Sequence, residues 1–350
     1  MLFSFAMKTS LTTTICLATV LAILPQCGSA GDPVSGCGDK GIKSGIYTME
    51  HGGLTRTYRV HVPTDYQAGT PAPLIALFHG WGGDENAFLG NQVVRQEADQ
   101  HGYILVAPRG LGSGVPDNSF NSWSFSGSTT GIDGDSNAIC DDSLTPDYSY
   151  DSCAITRKNT CSWTQCQADD VDFAVALVEE MKSRLCVDEN RVYASGGSNG
   201  GMYTWELGQN PKSASVFRAI APVIGLPHRG YLGGPAKDGG MPALLITGML
   251  DNVVPPGNWD DPGSTTTSND SDRFHYTGAT AITQSWANAF GCDTSRPATP
   301  VEVAYQIPDC RTYCTADTGL PRVLDCRAQM GHTYDLSWSW KLIMDFFDRH

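Results

Sequence analysis

The sequence predicts an α/β fold, a single domain built on a mostly parallel sheet with helices on both faces. Three observations carry this expectation. Short, unbroken apolar runs recur along the 350-residue chain, as strands buried on both faces require. Stretches with helical spacing separate those runs, the alternation that builds a parallel sheet. No internal repeat occurs, and no linker is long enough to divide the chain into separate folding units.

Leu74-Ile75-Ala76-Leu77-Phe78 is the first such run, and Ile104-Leu105-Val106-Ala107, stopped by Pro108, is the second. Val171, Ala174, Val175, Val178 and Leu185 then fall at helical spacing. Asp169 and Asp170 precede them, where the positive end of a helix favours acid. Val192-Tyr193-Ala194 reads as a third strand, with a helix over 202–207 behind it. Strands over 219–224, 243–247 and 323–326 follow, with helices over 280–290 and 337–347. Two stretches break this rhythm. Residues 110–167 are rich in Ser, Asp, Gly and Thr and hold four cysteines, so they read as a disulfide-stapled insertion near the working face of the sheet. Residues 255–278 contain Asn269-Asp270-Ser271, an N-glycosylation acceptor pattern.

Charge narrows the partners. Lys+Arg 23 against Asp+Glu 37 gives a net charge of −14, which excludes a phosphate-neutralising surface for nucleic acid and attraction to anionic membranes. Lys8 is the only charge in the first thirty residues, an apolar stretch spans 11–25, and Gly28-Ser29-Ala30 supplies small residues at a cleavage point. The expectation is a secretory signal peptide over 1–30, with 31–350 as the mature domain and an extracellular location. Cysteine usage agrees. Twelve Cys become ten once Cys16 and Cys27 are removed, an even number that reads as up to five disulfides in an oxidising compartment. No CxxC pair occurs and no His lies between 102 and 227, which argues against zinc.

The chemistry lies in four short segments. Gly196-Gly197-Ser198-Asn199-Gly200-Gly201 contains G-x-S-x-G between a strand and a helix, a turn that lifts a serine hydroxyl above the sheet. Asp251 follows the apolar strand ending near Thr247, and His332 lies between the strand at 323–326 and the last helix. The order Ser198, Asp251, His332 is that of the α/β-hydrolases, with nucleophile, acid and base in turn. His79-Gly80-Trp81-Gly82-Gly83 follows a buried strand, where glycines let backbone N–H groups approach a reacting carbonyl. The oxyanion hole is assigned to the N–H groups of Asn199 and Trp81, with His79 holding the loop. Hydrolysis by such a site needs no metal or organic cofactor. Of the aromatic residues in the insertion (Phe120, Trp123, Phe125, Tyr148, Tyr150 and Trp163), Trp123 is the expected substrate contact.

Gly36-Cys37-Gly38, Tyr58-Arg59-Val60-His61-Val62-Pro63, the His79 loop, Asp169-Asp170-Val171-Asp172-Phe173, Leu185-Cys186-Val187-Asp188 and the Ser198 turn together resemble secreted feruloyl esterases of carbohydrate esterase family 1. They are equally similar to the related polyhydroxybutyrate depolymerases. The resemblance covers most of 36–346. It implies a secreted serine esterase acting on hydroxycinnamoyl esters, with a polyester depolymerase as the alternative and a non-catalytic binding protein as a distant one. A polymer-attached ester is compatible with each catalytic reading. The resemblance also implies that Cys37 pairs with Cys186 and Cys292 with a later cysteine.

Overall fold

The computed structural model describes residues 36–38, 41–112, 120–145, 148, 150, 161–165, 169–261, 263, 265–270, 272–305, 308–314 and 320–350. The expected signal peptide, Cys153, Cys166 and Ser271 lie outside the described residues. The strands are β1 (Gly45–His51), β2 (Leu54–His61), β3 (Ala72–Phe78), β4 (Ile104–Pro108), β5 (Val187–Gly197), β6 (Ala219–Val223), β7 (Ala243–Gly248), β8 (Thr265–Thr267), β9 (His275–Thr277), β10 (Thr299–Val301), β11 (Asp309–Thr312) and β12 (Val323–Ala328). The helices are α1 (Asn86–Leu89), α2 (Gln92–His101), α3 (Asp170–Arg184), α4 (Asn199–Gln209), α5 (Pro211–Ala214), α6 (Ala279–Ala289) and α7 (Ser339–Phe347).

Ten strands form one sheet in the order β1-β2-β4-β3-β5-β6-β7-β12-β11-β10. From β4 to β12 every neighbouring pair is parallel, and antiparallel strands extend both edges. The parallel strands are the apolar runs of the sequence. Alternate residues feed opposite cores: Leu74, Ala76 and Phe78 pack with α3, α4 and α6, while Ile75 and Leu77 pack with α1, α2 and α7. Both faces of the sheet are thus covered, as the patterning requires.

The edge strands follow other rules. β1 and β2 form a hairpin closed by His51 and Leu54, and Gly52 and Gly53 between them have φ of 59° and 77°. Two consecutive residues at positive φ are the requirement of a tight hairpin turn, which glycine meets without strain. On β2 the inward residues are Arg56, Tyr58 and Val60. Arg56 is buried because Asp170, at the start of α3, is buried opposite it, with Nη2 2.8 Å from Oδ1. The other Asp170 oxygen accepts the Ser124 N–H at 2.7 Å, and the guanidinium lies 3.7 Å from the Phe173 ring centre. These contacts offset part of the cost of burying the two charges, although Arg56 Nε has no hydrogen-bond partner among the described residues.

Four disulfides occur among the described residues: Cys37–Cys186, Cys140–Cys161, Cys292–Cys314 and Cys310–Cys326. The first matches the pairing that the resemblance implied, and Cys292 does pair with a later cysteine. Cys140–Cys161 staples the insertion. There Phe125 and Trp163 pack with His228, Phe274 and Tyr276 into a small aromatic core shared with the second irregular stretch. That stretch also forms the β8–β9 hairpin, with Asn269 exposed between the two strands.

Candidate active site

Ser198, Asp251 and His332 each follow the C-terminal end of a parallel strand: β5, β7 and β12 respectively. Ser198 ends the turn between β5 and α4 at φ 55°, ψ −120°. This is a left-handed φ that side-chain-bearing residues rarely adopt, and the surroundings enforce it. Ser198 N–H donates to Val223 O at 2.9 Å, and Ser198 O accepts Met202 N–H at 2.9 Å. The flanking glycines are steric necessities. A Cβ at Gly200 would stand 2.0 Å from Phe78 O, and one at Gly196 would stand 2.4 Å from Gly200 O. The elbow therefore presses directly on β3.

The three side chains meet. His332 Nε2 lies 2.8 Å from Ser198 Oγ, and His332 Nδ1 lies 2.8 Å from Asp251 Oδ2. Asp251 is buried, and its Oδ1 accepts the N–H groups of Val253 (2.9 Å) and Val254 (2.8 Å). With Oδ1 committed to the backbone, Oδ2 is left to accept the Nδ1 proton. That tautomer makes Nε2 the acceptor for the serine hydroxyl.

The loop after β3 packs against the elbow. A Cβ at Gly80 would come 3.3 Å from both Ser198 Cβ and Gly197 O. The N–H groups of Trp81 and Asn199 donate to no acceptor among the described residues. His79 is buried; its Nε2 accepts the Gly110 N–H at 2.8 Å, so its proton sits on Nδ1 and is donated to Gly80 O at 2.7 Å. Burial pushes its pKa down to about 4. His228, in the aromatic core of the insertion, is constrained alike: Nε2 accepts from Trp163 Nε1 at 3.1 Å, and burial brings its pKa to about 3.

A pH dependence follows. The folded state holds both imidazoles neutral, whereas in the unfolded chain they titrate near 6.5. Their contribution is complete above that value and is lost as the pH falls toward their folded values, by about 2 kcal/mol each at pH 5. Urea unfolding at pH 7.5 and pH 5 checks this. A stability that is level between those two values would contradict it.

Trp123 requires a correction. From the sequence it is expected to contact substrate, but the residue is 0% exposed. Its ring stacks on Tyr203, meets Phe78 edge-on, and donates Nε1–H to His79 O at 2.9 Å. Its backbone N–H donates to the Asn199 side-chain oxygen at 2.9 Å. Trp123 therefore ties the His79 loop to the elbow from below and offers substrate no face. The aromatic surface beside the loop comes from other residues. Trp81 stacks on Phe120 with centroids 4.4 Å apart, and Tyr148 meets Trp81 edge-on at 5.4 Å. Trp81 Nε1–H donates to the Tyr150 hydroxyl (2.7 Å), which donates to Phe120 O (2.7 Å). Phe120 remains 46% exposed, at φ 60°. Tyr334, two residues beyond His332, stacks on Phe88 and would collide with a Cβ at Gly197. Tyr334 is absent from the site expected from the sequence, although its place beside His332 is a usable signal.

No protein-family profile matches the chain. A protein of Aspergillus niger named "Probable feruloyl esterase C" is 25% identical over 254 residues, covering 70% of this chain and 72% of that protein. Feruloyl esterase D of Neurospora crassa is 26% identical over 221 residues, 62% of each chain. Among solved structures, an acetyl xylan esterase from Aspergillus awamori covers 87% of this chain and 99% of its own at TM-score 0.52, with 14% identity, a likeness of fold. Taken with the sheet and its helices on both faces, these similarities make the chain a feruloyl-esterase-like α/β-hydrolase and a carboxylic ester hydrolase.

Proposed function

We propose that the chain is a secreted serine esterase that cleaves hydroxycinnamoyl esters of plant cell walls through an acyl-enzyme. The observation that carries this reading is the relay of two 2.8 Å hydrogen bonds from Asp251 through His332 to Ser198 at its strained elbow. His332 Nε2 takes the hydroxyl proton as Ser198 Oγ attacks the ester carbonyl, then delivers it to the leaving alcohol. Asp251 holds the tautomer and stabilises the imidazolium. The N–H groups of Asn199 and Trp81 receive the oxyanion. Water, deprotonated by His332, then releases the acid. Support for secretion comes from the apolar leader at 11–25 and the four disulfides. No helix among the described residues is long and apolar enough to cross a membrane.

The Trp81–Phe120 stack supports the choice of an aromatic acid, because it sets an exposed ring next to the loop that receives the carbonyl. Phe120→Ala is expected to raise KM for methyl ferulate about tenfold, the worth of one aromatic stacking contact, and to leave p-nitrophenyl acetate within about twofold. A parallel loss on both esters removes the stack from recognition. Faster release of soluble products from polyhydroxybutyrate than from feruloylated esters assigns the enzyme to polyester instead.

A further inference from the structure

Four cations converge at the edge of the sheet opposite the Ser198 site. Arg218, Pro242 and Arg322 immediately precede β6, β7 and β12. They therefore stand at the N-terminal ends of parallel strands, two of which lead at their other ends to Asp251 and His332. There Arg218, Lys237, Arg322 and Arg349 line a cavity of about 670 Å³, with Asp238 as the one acidic side chain in its described lining. In a chain with 37 acids and 23 bases, this is a local reversal of charge.

Among the described residues none of the four makes a side-chain ion pair. Arg218 Nε donates to the main-chain oxygen of His350 (2.9 Å), Lys237 Nζ donates to Phe217 O (3.3 Å), and the Arg322 guanidinium lies 5.1 Å from the Phe290 ring centre. Their crowding is felt locally. Burial first and Arg218 second push the Lys237 ammonium down from its ordinary pKa. The His350 imidazole in the same lining is lowered to about 4, by burial first and then by Arg218, Arg322 and Arg349, against a backbone hydrogen bond at Pro321.

The ligand follows from shape and charge. Guanidinium forks match carboxylates bidentately, and three of them stand around one cavity. Its volume is in the range that holds a ligand of two or three rings, larger than a single inorganic anion needs. Phe290 and Leu320 supply the apolar wall that the C–H face of a pyranose requires. The acidic surface elsewhere disfavours a long polyanion that would track across it. We propose that this cavity binds a short oligouronate, with its carboxylates on Arg218, Arg322 and Arg349. The site is separate from the esterase centre, and the inference does not rest on the proposed substrate.

Titration calorimetry of the full chain with trigalacturonate tests it, with neutral xylotriose, citrate and inorganic phosphate as the other arms. Trigalacturonate should bind, weaken between 50 and 200 mM salt, and exceed the other three. The double variant Arg218→Gln/Arg322→Gln should weaken binding by about tenfold or more, the loss expected for charge-assisted hydrogen bonds, and Lys341→Gln, outside the cavity, should leave it unchanged. An unchanged circular dichroism spectrum and unfolding midpoint show that the double variant is folded. Equal binding of xylotriose, tighter binding of citrate or phosphate, or indifference to the double substitution would each overturn the proposal. The readout is binding alone, so failure of the esterase reading leaves it intact.

Discussion

Ser198→Ala is expected to lower kcat on a short ester by about 10⁴-fold or more while leaving the unfolding transition in place. The size follows from the geometry. Ser198 is the one hydroxyl within hydrogen-bonding distance of His332 Nε2 among the described residues, so no neighbour can replace it. The fold should tolerate alanine because the elbow is held by main-chain bonds, Ser198 N–H to Val223 O and Met202 N–H to Ser198 O, which the substitution keeps. Removing a hydroxyl from a partly exposed position also leaves no buried group unpaired. His332→Ala should cost a similar factor, and the double variant little more than either, because the two act as one unit. Steady-state kinetics on all three, with circular dichroism as the check on folding, settles the point. A folded Ser198→Ala enzyme retaining a tenth of its activity removes Ser198 from the chemistry.

The second large effect belongs to Trp123. Trp123→Ala should destabilise the protein by about 3–5 kcal/mol, the cost of emptying a fully buried indole site. Three losses combine: the stack on Tyr203, the edge contact with Phe78, and the donor to His79 O, which is left buried without that partner. Because that donor steadies the loop carrying Trp81, kcat should fall by a common factor on methyl ferulate and p-nitrophenyl acetate, with their KM ratio unchanged. Trp123→Phe restores the packing but not the hydrogen bond, and should recover most of the stability. Denaturant midpoints measure the first effect and paired kinetics the second. A KM increase confined to methyl ferulate, with stability preserved, would reinstate Trp123 as a substrate contact.

The difference between Trp123 and Phe120 explains what a sequence can reveal of this site. Ser198, Asp251 and His332 each sit just beyond an apolar run that must be a buried strand, so backbone direction alone carries them to one edge of the sheet. The aromatic residues of the insertion have no such frame. Trp123 and Phe120 lie three positions apart in a segment without periodicity, and hydrophobicity does not tell which turns inward. What decides it is a contact distant in sequence, the Asn199 side chain accepting the Trp123 N–H. The sheet divides the same way. β3 to β7 and β12 are legible because both faces are buried. β2 is not, because its inward face begins with Arg56, whose partner Asp170 lies 114 residues later. The helix α2 buries only Val94 and Ala98, too few for a visible stripe, although its Asn91 cap and Gly102 stop are present in the sequence.

Cys37–Cys186 joins residues 149 positions apart, and the whole insertion lies between them. The polypeptide from one cysteine to the other is thus a closed ring. A protease that cuts once anywhere inside it, outside the smaller Cys140–Cys161 loop or within it, opens the ring without releasing a fragment. Cut and intact enzyme differ by one water molecule in mass and separate only after reduction. A chain nicked in this way keeps its two pieces covalently joined, so that damage inside the ring becomes a change in a loop rather than the loss of a domain.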